Sequence, residues 1–380
     1  MKKVRYGMVG GGPESFIGDA HRRALNLDGQ AQLAAGCFSR SPEKTLLTGE
    51  ALGVDPARCY ASYAEMAAAE AARPDGIQFV SVVTPNVSHY PICKAFLEAG
   101  IHVACDKPLC LTVEQADELC RLAEEKDLLF LVTYTYMGHV TAKHIRNFIR
   151  DGKLGKIRTV MAEYPQGWLA YEGEWGGKQG AWRCDPEQSG GVNCLGDLGT
   201  HVENAVATMT GLKIRRVLAK MDVVVPGRVL DDNDVILVEY EGGATGCYWT
   251  SQFAIGHDND LRVRIYGEDG SIEWRQESCE TVTMISRDGT IVERHRGNGG
   301  IDPQAAAYGR LPSGHTEGWL ESMANLYRSF MACIRAREDG SFTPDMIDFP
   351  TVRDGAEGVK FIHACLESNR KGNIWVDVNP

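Results

Sequence analysis

The sequence predicts an α/β protein of two domains, and three observations carry that expectation. The chain opens on an apolar strand that runs straight into Gly10-Gly11-Gly12, and its first 135 residues alternate short apolar runs with amphipathic stretches. From Tyr136 onward the runs become longer and alternate in polarity, punctuated by glycine-containing turns. Repeated strand–helix units imply a parallel sheet covered on both faces, whereas period-two runs joined by tight turns imply antiparallel pairing. The expected architecture is an N-terminal Rossmann dinucleotide-binding domain over residues 1–135. A C-terminal α/β domain with a large, mostly antiparallel open sheet follows over 136–380.

The first strand, 4–9, ends in glycines that would let the backbone turn sharply and approach a phosphate with no Cβ in the way. The helix after it would present its N-terminal N–H groups to a pyrophosphate. This turn nominates Gly10, Gly12, Phe16 and Ile17 as cofactor contacts. Ser15 stands where the dinucleotide fingerprint wants Gly or Ala, so either Ser15 replaces the third glycine or Gly18 serves helix packing. Further strands are expected over 31–38, 77–83, 102–105 and 130–133, with helices over 62–72, 89–99 and 112–125. In the second domain a helix over 140–151 is broken by Gly152 and Gly155. Strands follow over 157–164, 214–225, 235–240, 245–253, 260–267, 271–275, 281–286 and 290–295, several separated by hairpin signals such as Glu268-Asp269-Gly270. Helices over 316–336 and 352–370 close the chain.

With 380 residues, 43% of them hydrophobic, the chain can bury two cores. A net charge of −11 lacks the basic footprint of a nucleic-acid binder. The absence of a secretory leader and of any apolar run of membrane-spanning length points to a cytoplasmic protein with no membrane partner. Twelve cysteines are scattered without a Cys-x-x-Cys pair, which reads as reduced, mostly buried thiols and no zinc or other metal site.

Three blocks could carry chemistry. Thr84-Pro85-Asn86 with His89 follows the third strand, where a polar turn faces the cofactor crevice or simply caps a helix. Asp106-Lys107-Pro108 places a lysine at a strand's end; partly buried beside a nicotinamide, it could share a proton with a substrate hydroxyl, and a cis proline bond could aim it. In Asp197-Leu198-Gly199-Thr200-His201 the acid and the histidine are four apart, on one face of a helix, as suits a carboxylate-assisted general base, a helix start with a core histidine, or a metal pair for which no third ligand is obvious.

A glycine-turned Rossmann domain, Thr84-Pro85-Asn86 with His89, Asp106-Lys107-Pro108 and Asp197-x-x-x-His201, in this order over the whole chain, resembles the Gfo/Idh/MocA oxidoreductases. The family's Glu-Lys-Pro is here Asp-Lys-Pro, which bears on Asp106 but not on Lys107. The resemblance implies that Lys107, Asp197 and His201 are catalytic. His201, assisted by Asp197 or Lys107, would take a hydroxyl proton while hydride leaves the same carbon for the nicotinamide and Lys107 steadies the alkoxide. It also implies an open sheet with an oligomer-forming face, hence a homodimer or homotetramer.

A narrower likeness joins Tyr164–Trp168, Trp182–Gly190 and Gly314–Gly318 to a branch acting on sugars and glycosides. Aromatic faces stack on pyranoses while Arg, Asp and His bind hydroxyls. The substrate shell expected alongside Lys107, Asp197 and His201 is therefore Trp168, Trp182, Arg183 and His315, with Tyr136 and His139 after a strand end. No acid follows the second strand to hold ribose hydroxyls; Ser39 and Arg40 could hold a 2′-phosphate, so both NAD and NADP stay open. The cofactor shell is completed by Thr84, Asn86, His89, Asp106 and Lys107. The implied reaction is oxidation of a secondary hydroxyl of a sugar or glycoside, for example at pyranose C3, to a ketosugar. A redox-neutral, NAD-dependent glycoside hydrolase and an inositol dehydrogenase are the alternatives.

Overall fold

The computed structural model describes residues 2–13, 15–171 and 177–379. The chain divides into two compact units: Met1–Thr135 with Leu320–Ala356, and Tyr136–Trp319 with Glu357–Pro380.

In the first unit β1 (Val4–Gly10), β2 (Ala31–Cys37), β3 (Phe79–Val83), β4 (His102–Cys105) and β5 (Phe130–Val132) form a sheet in the order β2-β1-β3-β4-β5. All its pairings are parallel. β3 and β5 are buried along their whole length, the pattern of strands covered on both faces. The covering helices are α1 (Phe16–Leu27), α2 (Pro42–Leu52), α3 (Tyr63–Ala71), α4 (His89–Glu98) and α5 (Val113–Glu125). Their starts are set by side-chain caps: Ser15, Ser41, Ser62 and Thr112 each accept a backbone N–H of the first turn.

The second unit begins with α6 (Val140–Arg150), β6 (Ile157–Pro165), α7 (Lys178–Arg183) and α8 (Pro186–Ser189). A π-helical turn, Leu195–Gly199, then leads into α9 (Thr200–Thr210). β7 (Ile214–Asp222), β8 (Asn233–Tyr240), β9 (Thr245–Ser251), β10 (Arg262–Gly267), β11 (Gly270–Arg275), β12 (Thr281–Ser286) and β13 (Ile291–His295) follow, then the short α10 (Pro303–Ala306). The sheet order is β13-β12-β11-β10-β6-β9-β8-β7-β14, where β14 is Val376–Asp377. Among the described residues of this sheet, only β6 and β9 pair in parallel, so the expected mostly antiparallel sheet is the one observed. One sheet face and α9 bury a common core that includes Val202, Ala205, Val238, Tyr248 and Trp274.

The two closing helices correct the expected domain limits. α11 (Trp319–Asp339) and the start of α12 (Val352–Arg370) return to the first unit, so 136–380 is not one continuous domain. The reason is an aromatic seam. Phe330 meets Phe79 edge-on at 5.3 Å, and the Tyr327 hydroxyl bonds His21 Nδ1 at 2.6 Å and Ser81 at 3.1 Å. Period-3.6 patterning specifies an amphipathic helix but not the sheet that covers its apolar face.

Candidate active site

The first unit holds a cradle built by close backbone approach. Gly10 and Gly11 take the left-handed region (φ +87° and +71°), while Gly12 does not; the turn therefore rests on Gly10 and Gly11 rather than on Gly10 and Gly12. A Cβ on Gly12 would nonetheless sit 2.9 Å from the Phe38 carbonyl oxygen. Both possible roles after the turn are filled. Ser15 caps α1 by accepting the Gly18 N–H at 3.2 Å, and Gly18 is the packing glycine, since a Cβ there would lie 2.3 Å from Gly11 Cα. Phe16 is 66% exposed on the first turn of α1, beside half-buried Ile17. A glycine cradle at a helix N-terminus fits a pyrophosphate.

At the end of β2, Ser39 donates its N–H to Thr45 and accepts the Ser41 N–H on its hydroxyl, leaving Arg40 exposed. Thr84 accepts the Ser88 hydroxyl at 2.8 Å, and Asn86 is buried in the turn that follows. His89 departs from its expected role as a cofactor contact. It is 1% exposed, and its ring nitrogens lie 2.8 Å from the carbonyl oxygens of Pro108 and of Thr84. It thus fastens the two loops together, because no polar ring atom is left for a ligand. Asp106 also turns inward: its Oδ1 accepts the Lys107 N–H and the Thr133 hydroxyl, each at 3.0 Å. The Lys107–Pro108 peptide is cis, as anticipated, and the Lys107 side chain is half-buried.

The second unit brings a different set together. Arg183 lies over the Trp182 ring (4.4 Å) and the Trp168 ring (5.8 Å), and its Nε donates to Asp197 Oδ2 at 3.1 Å. Asp197 also accepts the Gln252 amide at 3.3 Å. Trp168, 38% exposed, donates its indole N–H to Gln166 at 2.7 Å. His201 is buried between two tyrosines, its ring 4.8 Å from Tyr136 and 5.9 Å from Tyr164. The Tyr136 and Tyr164 hydroxyls bond each other, Asn259 joins both, and Gln166 donates to Asn259 at 2.7 Å. Burial pushes the Tyr136 phenol up to about 12, so it stays protonated and able to donate. The cluster thus presents aromatic faces, one guanidinium, one carboxylate and several amide and hydroxyl groups, a set suited to a polyhydroxylated ring.

Three expectations change here. Asp197 is not on a regular helix with His201 but in the wide Leu195–Gly199 π turn, which precedes α9. His139 packs on Trp274 at 5.9 Å, and burial lowers it to about 3, so it is a neutral core residue. His315 stands exposed in a turn, where its carbonyl accepts from Arg296, and among the described residues no contact joins it to the Trp168–Arg183 cluster. Sequence reasoning passed over Gln166, Gln252 and Asn259. The last two sit just after β9 and just before β10, and that position at strand ends was the one available signal.

Comparison with known proteins agrees with the geometry. Residues 4–134 match an oxidoreductase family with an NAD-binding Rossmann fold, and residues 142–273 match the GFO/IDH/MocA C-terminal domain. Over 382 residues the chain is 39% identical to YfiI, an uncharacterized oxidoreductase of Bacillus subtilis (strain 168), across 99% of this chain and 97% of the relative. It is similar to the crystal structure of an inositol dehydrogenase homolog from Azotobacter vinelandii complexed with NAD+, at 38% identity and a TM-score of 0.94 over 99% and 97% of the two chains. The same homolog complexed with NADH and myo-inositol matches at 37% identity and a TM-score of 0.92, over 99% and 98%. Among the described residues, no helix is long and apolar enough to cross a membrane.

Proposed function

The chain belongs to the Gfo/Idh/MocA oxidoreductases, and we propose that it is an NAD-dependent dehydrogenase converting a secondary hydroxyl of a cyclic polyol (a sugar, glycoside or inositol) to the ketone. The observation that carries this reading is the Trp168–Trp182–Arg183–Asp197 cluster, where ring faces and hydroxyl-binding groups lie together. The bound nicotinamide supplies a hydride acceptor. Everything else falls to this chain. Gly10, Gly11, Gly12 and the N-terminus of α1 hold the pyrophosphate. Lys107 stabilises charge developing on the substrate oxygen. His201 takes the hydroxyl proton, and its two tyrosine neighbours exclude water from the ring. Asp197 fixes the Arg183 fork that reads substrate hydroxyls.

Cyclitols stand beside pyranoses as substrates because the homolog bound to myo-inositol matches over nearly the whole chain. An exposed strip on β8, with Val235 and Leu237 each more than 40% accessible, suits pairing of two copies into a homodimer or homotetramer. The test is the absorbance of reduced nicotinamide, with NAD and NADP in parallel, over inositols, free sugars and glycosides. A rise with one substrate group supports the reading. Glycoside cleavage without net reduction would replace it with the redox-neutral hydrolase.

A further inference from the structure

Below the π turn lies a buried group of acids that the proposed reaction does not use. Asp231 and Asp234 are at most 5% exposed, and their carboxyl oxygens lie with Cys194 Sγ within 4.8 Å of one another. Asp231 is fully employed. Its Oδ1 accepts the Asn193 N–H at 2.7 Å, its Oδ2 accepts the Leu195 N–H at 2.6 Å, and its carbonyl accepts the Cys194 N–H at 3.1 Å. It therefore grips three consecutive residues at the entry to the Leu195–Gly199 turn, where the Asp197 N–H bonds the Asn193 carbonyl at 2.9 Å. Asp234 Oδ2 accepts the hydroxyl of Thr250, its register partner on β9, at 2.8 Å, but its Oδ1 is buried with no partner.

We propose that Asp231 and Asp234 share one proton, carried on Asp234, and that the ionised Asp231 is a positioning residue for the turn bearing Asp197. A proton on Asp234 Oδ1 converts an orphaned acceptor into a donor toward Asp231. Two bare carboxylates this close in a dry interior could not both stay ionised. Burial and the neighbouring Asp231 hold the Asp234 acid well above the usual carboxylate range. Asp231 accepts two backbone N–H bonds that an ionised carboxylate satisfies, whereas Asp234 accepts none and leaves Oδ1 unpartnered, which places the proton on Asp234. The other groups facing the pair are the Cys194 and Cys365 thiols, both raised by burial, and the Thr250 hydroxyl. Arg228, nearby in sequence, pairs instead with Asp232 at 3.8 Å.

The proton itself is tested without any substrate, whereas the positioning role rests on the dehydrogenase reading above. Thermal melts of the full chain are compared for wild type and Asp234→Asn from pH 4 to pH 8. A folded acid held protonated costs stability wherever the unfolded aspartate ionises, above about pH 4. Asp234→Asn keeps a donor without that cost, so it should melt above wild type at pH 8, with the gap closing toward pH 4. A variant that melts below wild type at pH 8, with the gap widening as pH rises, overturns the proton, because that is the signature of an ionised Asp234. Stoichiometric metal in the purified wild type, lost in the variant, overturns it in favour of a cation held by Cys194, Asp231 and Asp234. For positioning, Asp234→Ala removes the donor without overfilling the buried site. It should lower kcat by about tenfold with NAD affinity unchanged, while Asp234→Asn restores kcat. Equal kcat in the two variants overturns the positioning role. A wild type without dehydrogenase activity would refute the functional reading and leave the melting result to decide the proton.

Discussion

Arg183 and Asp197 form a directed pair: the guanidinium Nε donates to Asp197 Oδ2 at 3.1 Å while its Cζ lies 4.4 Å from the Trp182 ring centroid. Lysine keeps the charge but neither the planar fork nor the stacking. Arg183→Lys should raise KM for substrate and lower kcat/KM by about 10–100-fold, with NAD binding unchanged. Steady-state kinetics beside a fluorescence titration of NADH separate the two effects.

Lys107→Ala should lower kcat by about 100–1,000-fold, the scale of losing one preorganised stabiliser of an oxyanion, while NAD affinity stays near wild type. Turnover close to wild type would remove Lys107 from the chemistry.

Gly18→Ala puts a Cβ 2.3 Å from Gly11 Cα, backbone against backbone. Separating α1 from the glycine turn should cost about 1–3 kcal/mol and weaken NAD binding together. Gly299→Ala, which meets nothing within 4 Å, is the neutral control in the same melting and titration assays.

His89 serves two carbonyl oxygens, on Thr84 and Pro108. His89→Ala removes the ring that ties the two loops and leaves the buried Pro108 carbonyl unpaired, at about 1–3 kcal/mol by denaturant unfolding. Because the Pro108 anchor adjoins Lys107, kcat should fall more than NAD affinity.

The acid limb of stability carries a signature of His139. Burial lowers it to about 3 from an ordinary value of 6.5. The unfolded chain therefore binds this proton first, and stability is lost as pH falls through 6.5 toward 3. His139→Gln should flatten the slope of unfolding free energy in that window, by on the order of 2–4 kcal/mol across it. An unchanged slope would mean that the ring is solvated.

Particular residues show what could be read from the chain. The glycine turn, the five parallel strands and the hairpins at Gly243 and Gly289 follow from local backbone demands, which sequence states directly. The return of α11 to β3 depends on Phe330 meeting Phe79, more than two hundred residues apart, and amphipathic spacing does not choose a partner. That Trp168, Trp182, Arg183 and Asp197 lie together was legible because their residue types are costly to place without a purpose. Gln252 and Asn259 are ordinary loop residues until the fold sets them against Asp197 and Tyr136. His89 misled because a polar turn beside a strand end reads the same whether its histidine faces a cofactor or two carbonyls.

The most direct test of the central claim follows the hydride. The purified protein is given NAD and a cyclic polyol carrying deuterium on the carbinol carbon, and both products are weighed by mass spectrometry. The account predicts reduced nicotinamide that carries the deuterium and an equal amount of ketone that has lost it. Substrate consumed with no deuterium in the nicotinamide pool, or a glycoside cleaved with the label kept at its carbon, would contradict it.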